Sequence, residues 1–157
     1  YLSLDALGFG KGDEAIVPAF TWTSTANVIE HLGGKVLFAD IDLETFNIDV
    51  KKIETLITKK TKAILPVHLF GLAADMLSIN KLAQKYNLIV VEDAACGFGT
   101  KLHNQHVGTF GDTGCFSFHP RKAITTGEGG MVTTQNKKLA EKIRNMRDHG
   151  ATMSDLE

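Results

Sequence analysis

The sequence predicts an α/β domain, a mostly parallel sheet layered between helices, and three observations carry that prediction. Short apolar runs recur along the chain, helically spaced stretches separate them, and glycine or proline marks the joints. With 157 residues, 43% of them hydrophobic and 22% charged, the chain is long enough to bury the core of one ordinary domain. In order, Tyr1–Leu7 has helical spacing, Gly8–Asp13 is a turn cluster, and Glu14–Val17 closed by Pro18 is a short buried strand. Ser24 or Thr25 caps a helix running to about Leu32, which Gly33-Gly34 ends, and Lys35–Ala39 is the next strand. Asp49 opens a helix to about Ile57, with Ile53, Leu56 and Ile57 on one face. Ala63–Val67 is a strand, Ala73–Tyr86 a helix, and Leu88–Val91 the clearest strand of the chain. From Asp93 onward glycine becomes dense. Two short strands, Cys115–Phe118 and Gly130–Thr134, flank a loop holding Arg121 and Lys122, and Lys137–Arg147 is an amphipathic helix of mixed charge. The β–helix–β rhythm predicts crossovers between parallel strands, with helices covering the sheet.

Composition excludes several classes. Seventeen Lys+Arg against eighteen Asp+Glu leave a formal charge of −1, which provides no basic footprint for nucleic acid or anionic lipid, so neither is expected as a partner. Apolar runs such as Leu88–Val91 are far shorter than the roughly 20 residues of a membrane span, so no membrane partner is expected. Two cysteines, Cys96 and Cys115, form no CxxC pair and have no nearby ligand spacing, which predicts neither a disulfide framework nor a metal site and fits a reducing cytoplasm. The sequence begins at Tyr1 within a helical pattern and stops at Glu157 without a terminator, which reads as part of something longer.

The candidate chemistry gathers at strand ends. In open parallel sheets ligands bind beyond the carboxyl ends of the strands, where Asp93 falls. A carboxylate there holds a metal, accepts a ribose hydroxyl, pairs with a cationic ring nitrogen, or merely caps a helix; composition does not choose among these. Of the adjacent Glu92 and Asp93, strand alternation turns one to each face, so one of them is structural. Lys122 lies in a glycine-rich loop after Phe118-His119-Pro120-Arg121. With a strand-end carboxylate and a hydroxyl such as Ser117, it completes the set that holds an aldehyde cofactor as a Schiff base. Trp22, the only tryptophan, sits in the polar loop Thr21–Ser24, where an indole either stacks on a planar ring or anchors the loop to the core. The glycine clusters complete neither GxGxxG nor the phosphate loop ending in Lys-Ser/Thr. The Lys-Lys pairs at 51–52, 59–60 and 137–138 read as solvated faces, and the histidines are too scattered for a metal.

Seven segments stand in a fixed order: Gly12-Asp13-Glu14-Ala15-Ile16-Val17-Pro18, Thr21-Trp22-Thr23-Ser24-Thr25-Ala26-Asn27, Phe38-Ala39-Asp40-Ile41-Asp42, Pro66-Val67-His68-Leu69-Phe70-Gly71, Glu92-Asp93-Ala94-Ala95, Phe116-Ser117-Phe118-His119-Pro120-Arg121-Lys122 and Gly127-Glu128-Gly129-Gly130. Together they resemble the DegT/DnrJ/EryC1/StrS family of sugar aminotransferases, pyridoxal-phosphate (PLP) enzymes of fold type I, over nearly the whole chain. The resemblance implies a three-layer α/β/α arrangement, with residues 1–157 forming most of the large PLP-binding domain. It implies that Lys122 bonds the cofactor aldehyde and later shuttles a proton, and that Asp93 keeps the pyridinium nitrogen protonated. Trp22 would stack on the ring and Ser117 would bond the phosphate. Cys96 stands where the family often has His, Gln or Glu beside the phenolic oxygen. Two departures follow: the family's Ser-Gly-Thr-like phosphate turn would precede the Tyr1 helix, and its small C-terminal domain would follow Glu157, so both are expected to be missing.

The implied activity is transfer of an amino group from glutamate to the keto group of a nucleotide-linked sugar, with pyridoxamine phosphate between the two halves, in a cytoplasmic homodimer. One rival is a PLP/pyridoxamine-phosphate sugar dehydratase, in which histidine replaces the lysine; Lys122 argues against it. A second is a non-catalytic regulatory or binding protein keeping the fold, which the joint presence of Asp93, Ser117 and Lys122 disfavours. A plain α/β nucleotide-binding module is the third.

Overall fold

The computed structural model describes residues 1–151. Its elements are α1 (Leu2–Ala6), β1 (Glu14–Pro18), α2 (Ser24–His31), β2 (Lys35–Ala39), α3 (Val50–Leu56), β3 (Thr61–Ile64), α4 (Met76–Tyr86), β4 (Ile89–Asp93), β5 (Lys101–Leu102), β6 (Gln105–His106), β7 (Thr113–Ser117), β8 (Gly130–Thr133) and α5 (Lys137–Arg147). Six strands form one sheet in the order β2-β1-β3-β4-β7-β8, every pair parallel except the antiparallel β7–β8. The expected mostly parallel α/β sheet is therefore present.

Strand alternation sorts the core into two layers. Ile16 of β1, Ile64 of β3 and Val90 of β4 face a cluster with Ile53 of α3 and Met76, Ile79 and Leu82 of α4. Their neighbours Ala15, Val17, Ala63 and Val91 face the opposite side, where Leu4 of α1 and Ile29 of α2 pack. The helix α5 joins that second side by packing Leu139 and Ile143 against Ala6 of α1. Helices thus cover both faces of the sheet. Among the described residues no helix is long and apolar enough to cross a membrane.

Local chemistry explains where the elements start and stop. Side chains of Asp49, Asp75 and Asn136 accept backbone N–H bonds at the first turns of α3, α4 and α5. The helix expected from Ala73 accordingly begins at Met76, because the Ala74 N–H is drawn away to His68 Nδ1 at 3.1 Å. The strand expected over Ala63–Val67 ends at Ile64, since Pro66 has no N–H to continue the ladder. Its path stays extended, and Val67 still bridges Asp93. The cap expected of Ser24 or Thr25 is not made: Thr23 is the N-cap residue, with no side-chain cap bond, and Thr25 lies within α2. The β5–β6 hairpin was not legible, because two-residue strands carry no periodicity. Its His103-Asn104 turn has φ of 47° and 64° at successive residues.

Candidate active site

The same alternation that builds the core decides what the two adjacent carboxylates do. Glu92 shares the face of Val90 and Asp93 that of Val91, so they leave β4 on opposite sides. Glu92 is fully buried and accepts four hydrogen bonds: from His68 Nε2 at 2.9 Å and from the N–H groups of Gly108, Phe110 and Gly111, each at 2.7 Å. Because His68 Nδ1 accepts from the Ala74 N–H, that nitrogen carries no proton; His68 is neutral and donates through Nε2. Burial pushes the Glu92 carboxyl up, but the bonds from His68, Gly111 and Gly108 outweigh it and hold the group below the usual carboxylate range. Glu92 is therefore the structural member of the pair. It clamps the 108–111 segment to the sheet, and there Gly114 is indispensable: a Cβ on it would lie 2.4 Å from the Gly108 carbonyl oxygen.

Asp93 turns the other way, into a cavity of about 730 Å³ at the carboxyl ends of β1, β3, β4 and β7. All five residues singled out in the sequence line it: Trp22, Asp93, Cys96, Ser117 and Lys122. Asp93 Oδ1 accepts from the Ala95 N–H at 3.1 Å and Oδ2 from Thr25 Oγ1 at 2.8 Å. Thr25 thus spends its one proton on Asp93, so the 3.2 Å contact between Thr21 and Thr25 hydroxyls has Thr21 as donor. This Thr21–Thr25–Asp93 chain was missed in the sequence, although both threonines fall within the Thr21–Asn27 segment. It ties the carboxylate to the loop carrying Trp22, whose indole is 69% exposed.

The opposite wall comes from β7 and the loop that follows. Register places Cys115 beside Asp93, and Ser117 two residues on faces the same way. Ser117 Oγ accepts the His119 N–H at 3.3 Å, which leaves its own proton to donate. Cys115 contacts Ser3 Oγ at 3.3 Å, and burial pushes its thiol up. Lys122 projects from a turn in which its N–H donates to the His119 carbonyl at 2.9 Å, and its Nζ lies 3.4 Å from Cys96 Sγ. Arg121, His119 and Glu128 complete this wall, with His119 Nε2 4.0 Å from Glu128 Oε1. The cavity therefore offers a fixed carboxylate, an amine, a free hydroxyl donor, a surface indole and a second cation from one loop.

The chain matches the DegT/DnrJ/EryC1/StrS aminotransferase family over residues 1–156. It is 48% identical over 151 residues to UDP-N-acetyl-3-dehydro-α-D-glucosamine 3-aminotransferase of Acidithiobacillus ferrooxidans, covering 96% of this chain and 41% of that protein. The crystal structure of an aminotransferase from Psychrobacter cryohalolentis superimposes with a TM-score of 0.96 at 40% identity, over 99% of this chain and 40% of that one. NtdA from Bacillus subtilis, solved with bound cofactor PMP, superimposes with a TM-score of 0.84 at 40% identity, over 92% of this chain and 32% of that one. The chain thus spans about two fifths of the length of the curated relatives it matches.

Proposed function

This chain belongs to the DegT/DnrJ/EryC1/StrS aminotransferase family, whose members depend on pyridoxal phosphate, and from that premise we propose that the protein moves an amino group from glutamate to the keto group of a nucleotide-linked sugar. One observation carries the reading: Trp22, Asp93, Cys96, Ser117 and Lys122, drawn from separate elements, line one cavity. The donor set fits the cofactor, with a carboxylate for a ring nitrogen, an amine for an aldehyde and a hydroxyl for a phosphate. When bound, pyridoxal phosphate supplies an electron sink for the pair released as a Cα–H bond breaks. Asp93, held by Thr25 and the Ala95 N–H, keeps a proton on the ring nitrogen. Lys122 Nζ would hold the aldehyde carbon, and as a free amine it would take and return the α-proton. Ser117 would donate to the phosphate, Trp22 would cover the ring against water, and Cys96 would stand beside the phenolic oxygen.

Two broader features of the reading have support of their own. Phe20, Phe46 and Phe70 form an exposed aromatic cluster with ring centroids 5.6–6.4 Å apart, the kind of patch a second subunit covers, in keeping with a homodimer. Free thiols at Cys96 and Cys115 suit a reducing cytoplasm.

The reading is tested by incubating the protein with pyridoxal phosphate, glutamate and a panel of nucleotide-linked keto sugars, and weighing the products. Conversion of ketone to amine is expected. Loss of water from the sugar would instead indicate a dehydratase, and cofactor binding with no turnover a regulatory role. The threonine chain gives a further expectation. Thr25→Val removes a hydrogen bond to a charged group, worth about 1.5–3 kcal/mol. With Asp93 no longer fixed, the cofactor should bind more weakly, as read from the quenching of Trp22, the only tryptophan. Thr25→Ser should restore affinity; equal weakening by Ser would mean that the methyl group, not the hydroxyl, matters.

A further inference from the structure

Cys96 has chemistry that amino transfer does not use. Its thiol is exposed, and its backbone is fixed by a tight turn in which the Gly97 N–H donates to the Ala94 carbonyl at 2.8 Å. Gly97 lets this turn sit close to the β5–β6 hairpin side, since a Cβ there would lie 2.8 Å from Val107 Cγ2. Facing this thiol at 3.4 Å is Lys122 Nζ, at the end of a flexible stem on a loop turn, and both line a cavity open to small solutes. The other thiol of the cavity, Cys115, contrasts with it: that residue contacts Ser3 Oγ at 3.3 Å, and burial pushes its thiol up. One exposed thiol and one amine thus stand in contact with each other.

We propose that Cys96 and Lys122 form a peroxide-driven covalent switch, in which an S–N bond ties up the lysine and closes the site. The thiol first attacks hydrogen peroxide: the O–O bond breaks, sulfur gives up two electrons and becomes a sulfenic acid, and one water leaves. Lys122, after its ammonium yields a proton to solvent, attacks that sulfur. The S–O bond breaks, and the departing hydroxide takes a proton from nitrogen as a second water. In sum, thiol, amine and one peroxide give a sulfenamide and two waters. A neighbouring amine captures the sulfenic acid before a second peroxide does, because its local concentration far exceeds that of the oxidant. Two small thiols reverse the change: the first displaces the amine to form a mixed disulfide, and the second frees Cys96. The regulatory meaning rests on the cofactor role proposed for Lys122; the bond itself does not.

The test treats the cofactor-free protein with hydrogen peroxide, blocks remaining thiols, digests it without reductant and weighs the peptides. The expected product joins the peptide carrying Cys96 to that carrying Lys122, lighter than their sum by two hydrogen atoms, and dithiothreitol removes it. Cys96→Ser abolishes the cross-link. Covalent loading of Lys122 with pyridoxal phosphate falls in proportion to cross-linking and returns after reduction. A sulfinic acid at Cys96 with Lys122 free, a Cys96–Cys115 disulfide, or an unreacted Cys96 would each overturn the switch while leaving the cofactor reading intact. A cross-link in a protein whose reduced form never attaches the cofactor would overturn the regulatory meaning and the cofactor reading together.

Discussion

Replacing Lys122 by alanine lowers amino-transfer turnover by about 10²–10⁴-fold through loss of proton transfer alone, with further loss from the missing covalent attachment. The effect should fall on kcat more than on cofactor affinity, because Asp93, Ser117 and Trp22 remain in the cavity wall. Folding should be nearly untouched. Lys122 lies on a loop and, among the described residues, its amine hydrogen-bonds Cys96 alone, so the change in stability should stay within about 0.5 kcal/mol. Comparing kcat with the unfolding midpoint of the same preparation separates the two effects. Wild-type turnover in Lys122→Ala would remove the lysine from the chemistry.

Glu92→Gln should produce a large loss of stability. Its four donors divide two to each oxygen: His68 Nε2 and the Gly108 N–H on Oε2, the Phe110 and Gly111 N–H groups on Oε1. An amide keeps one oxygen and turns an NH₂ toward two N–H donors, leaving them buried and unpaired. Leaving two buried donors unpaired costs about 1–3 kcal/mol for each, a large share of the roughly 5–15 kcal/mol of a typical domain. The pH dependence follows from the lowered carboxyl of the folded state. The contribution of Glu92 is fully present above the unfolded carboxyl value near 4.5 and is lost as pH falls through the lower native value. Denaturant melts at neutral and acid pH should show wild type losing this contribution on acidification while Glu92→Gln does not. Equal stability of the two proteins at neutral pH would show that the clamp is not needed.

The sheet and the site were legible to different depths. Apolar runs between helical spacings located β1, β2, β4, α3 and α5, because the period of a half-buried element is written in every turn of it. The β5–β6 hairpin left no such trace, since two residues per strand cannot display a period. The separate fates of Glu92 and Asp93 were foreseen from strand alternation, but which one is structural depended on the loop at 108–111 returning to β4, a tertiary event. The sequence offers Ser24 or Thr25 as a helix cap, because serine or threonine before an apolar helix ordinarily caps it. Only the approach of α2 to the end of β4 reveals that the Thr25 hydroxyl serves Asp93. Likewise, the spacing of Cys96 and Lys122 in the chain gives no hint of their contact.

The proposed amino transfer requires that this cavity bind pyridoxal phosphate through Lys122. Its most direct test is to add the cofactor, reduce with borohydride and map the modified peptide by mass spectrometry, in the wild type and in Lys122→Ala. A single modification on Lys122, absent from the variant, is the predicted result; no modification, or the same modification in Lys122→Ala on another lysine, would contradict it.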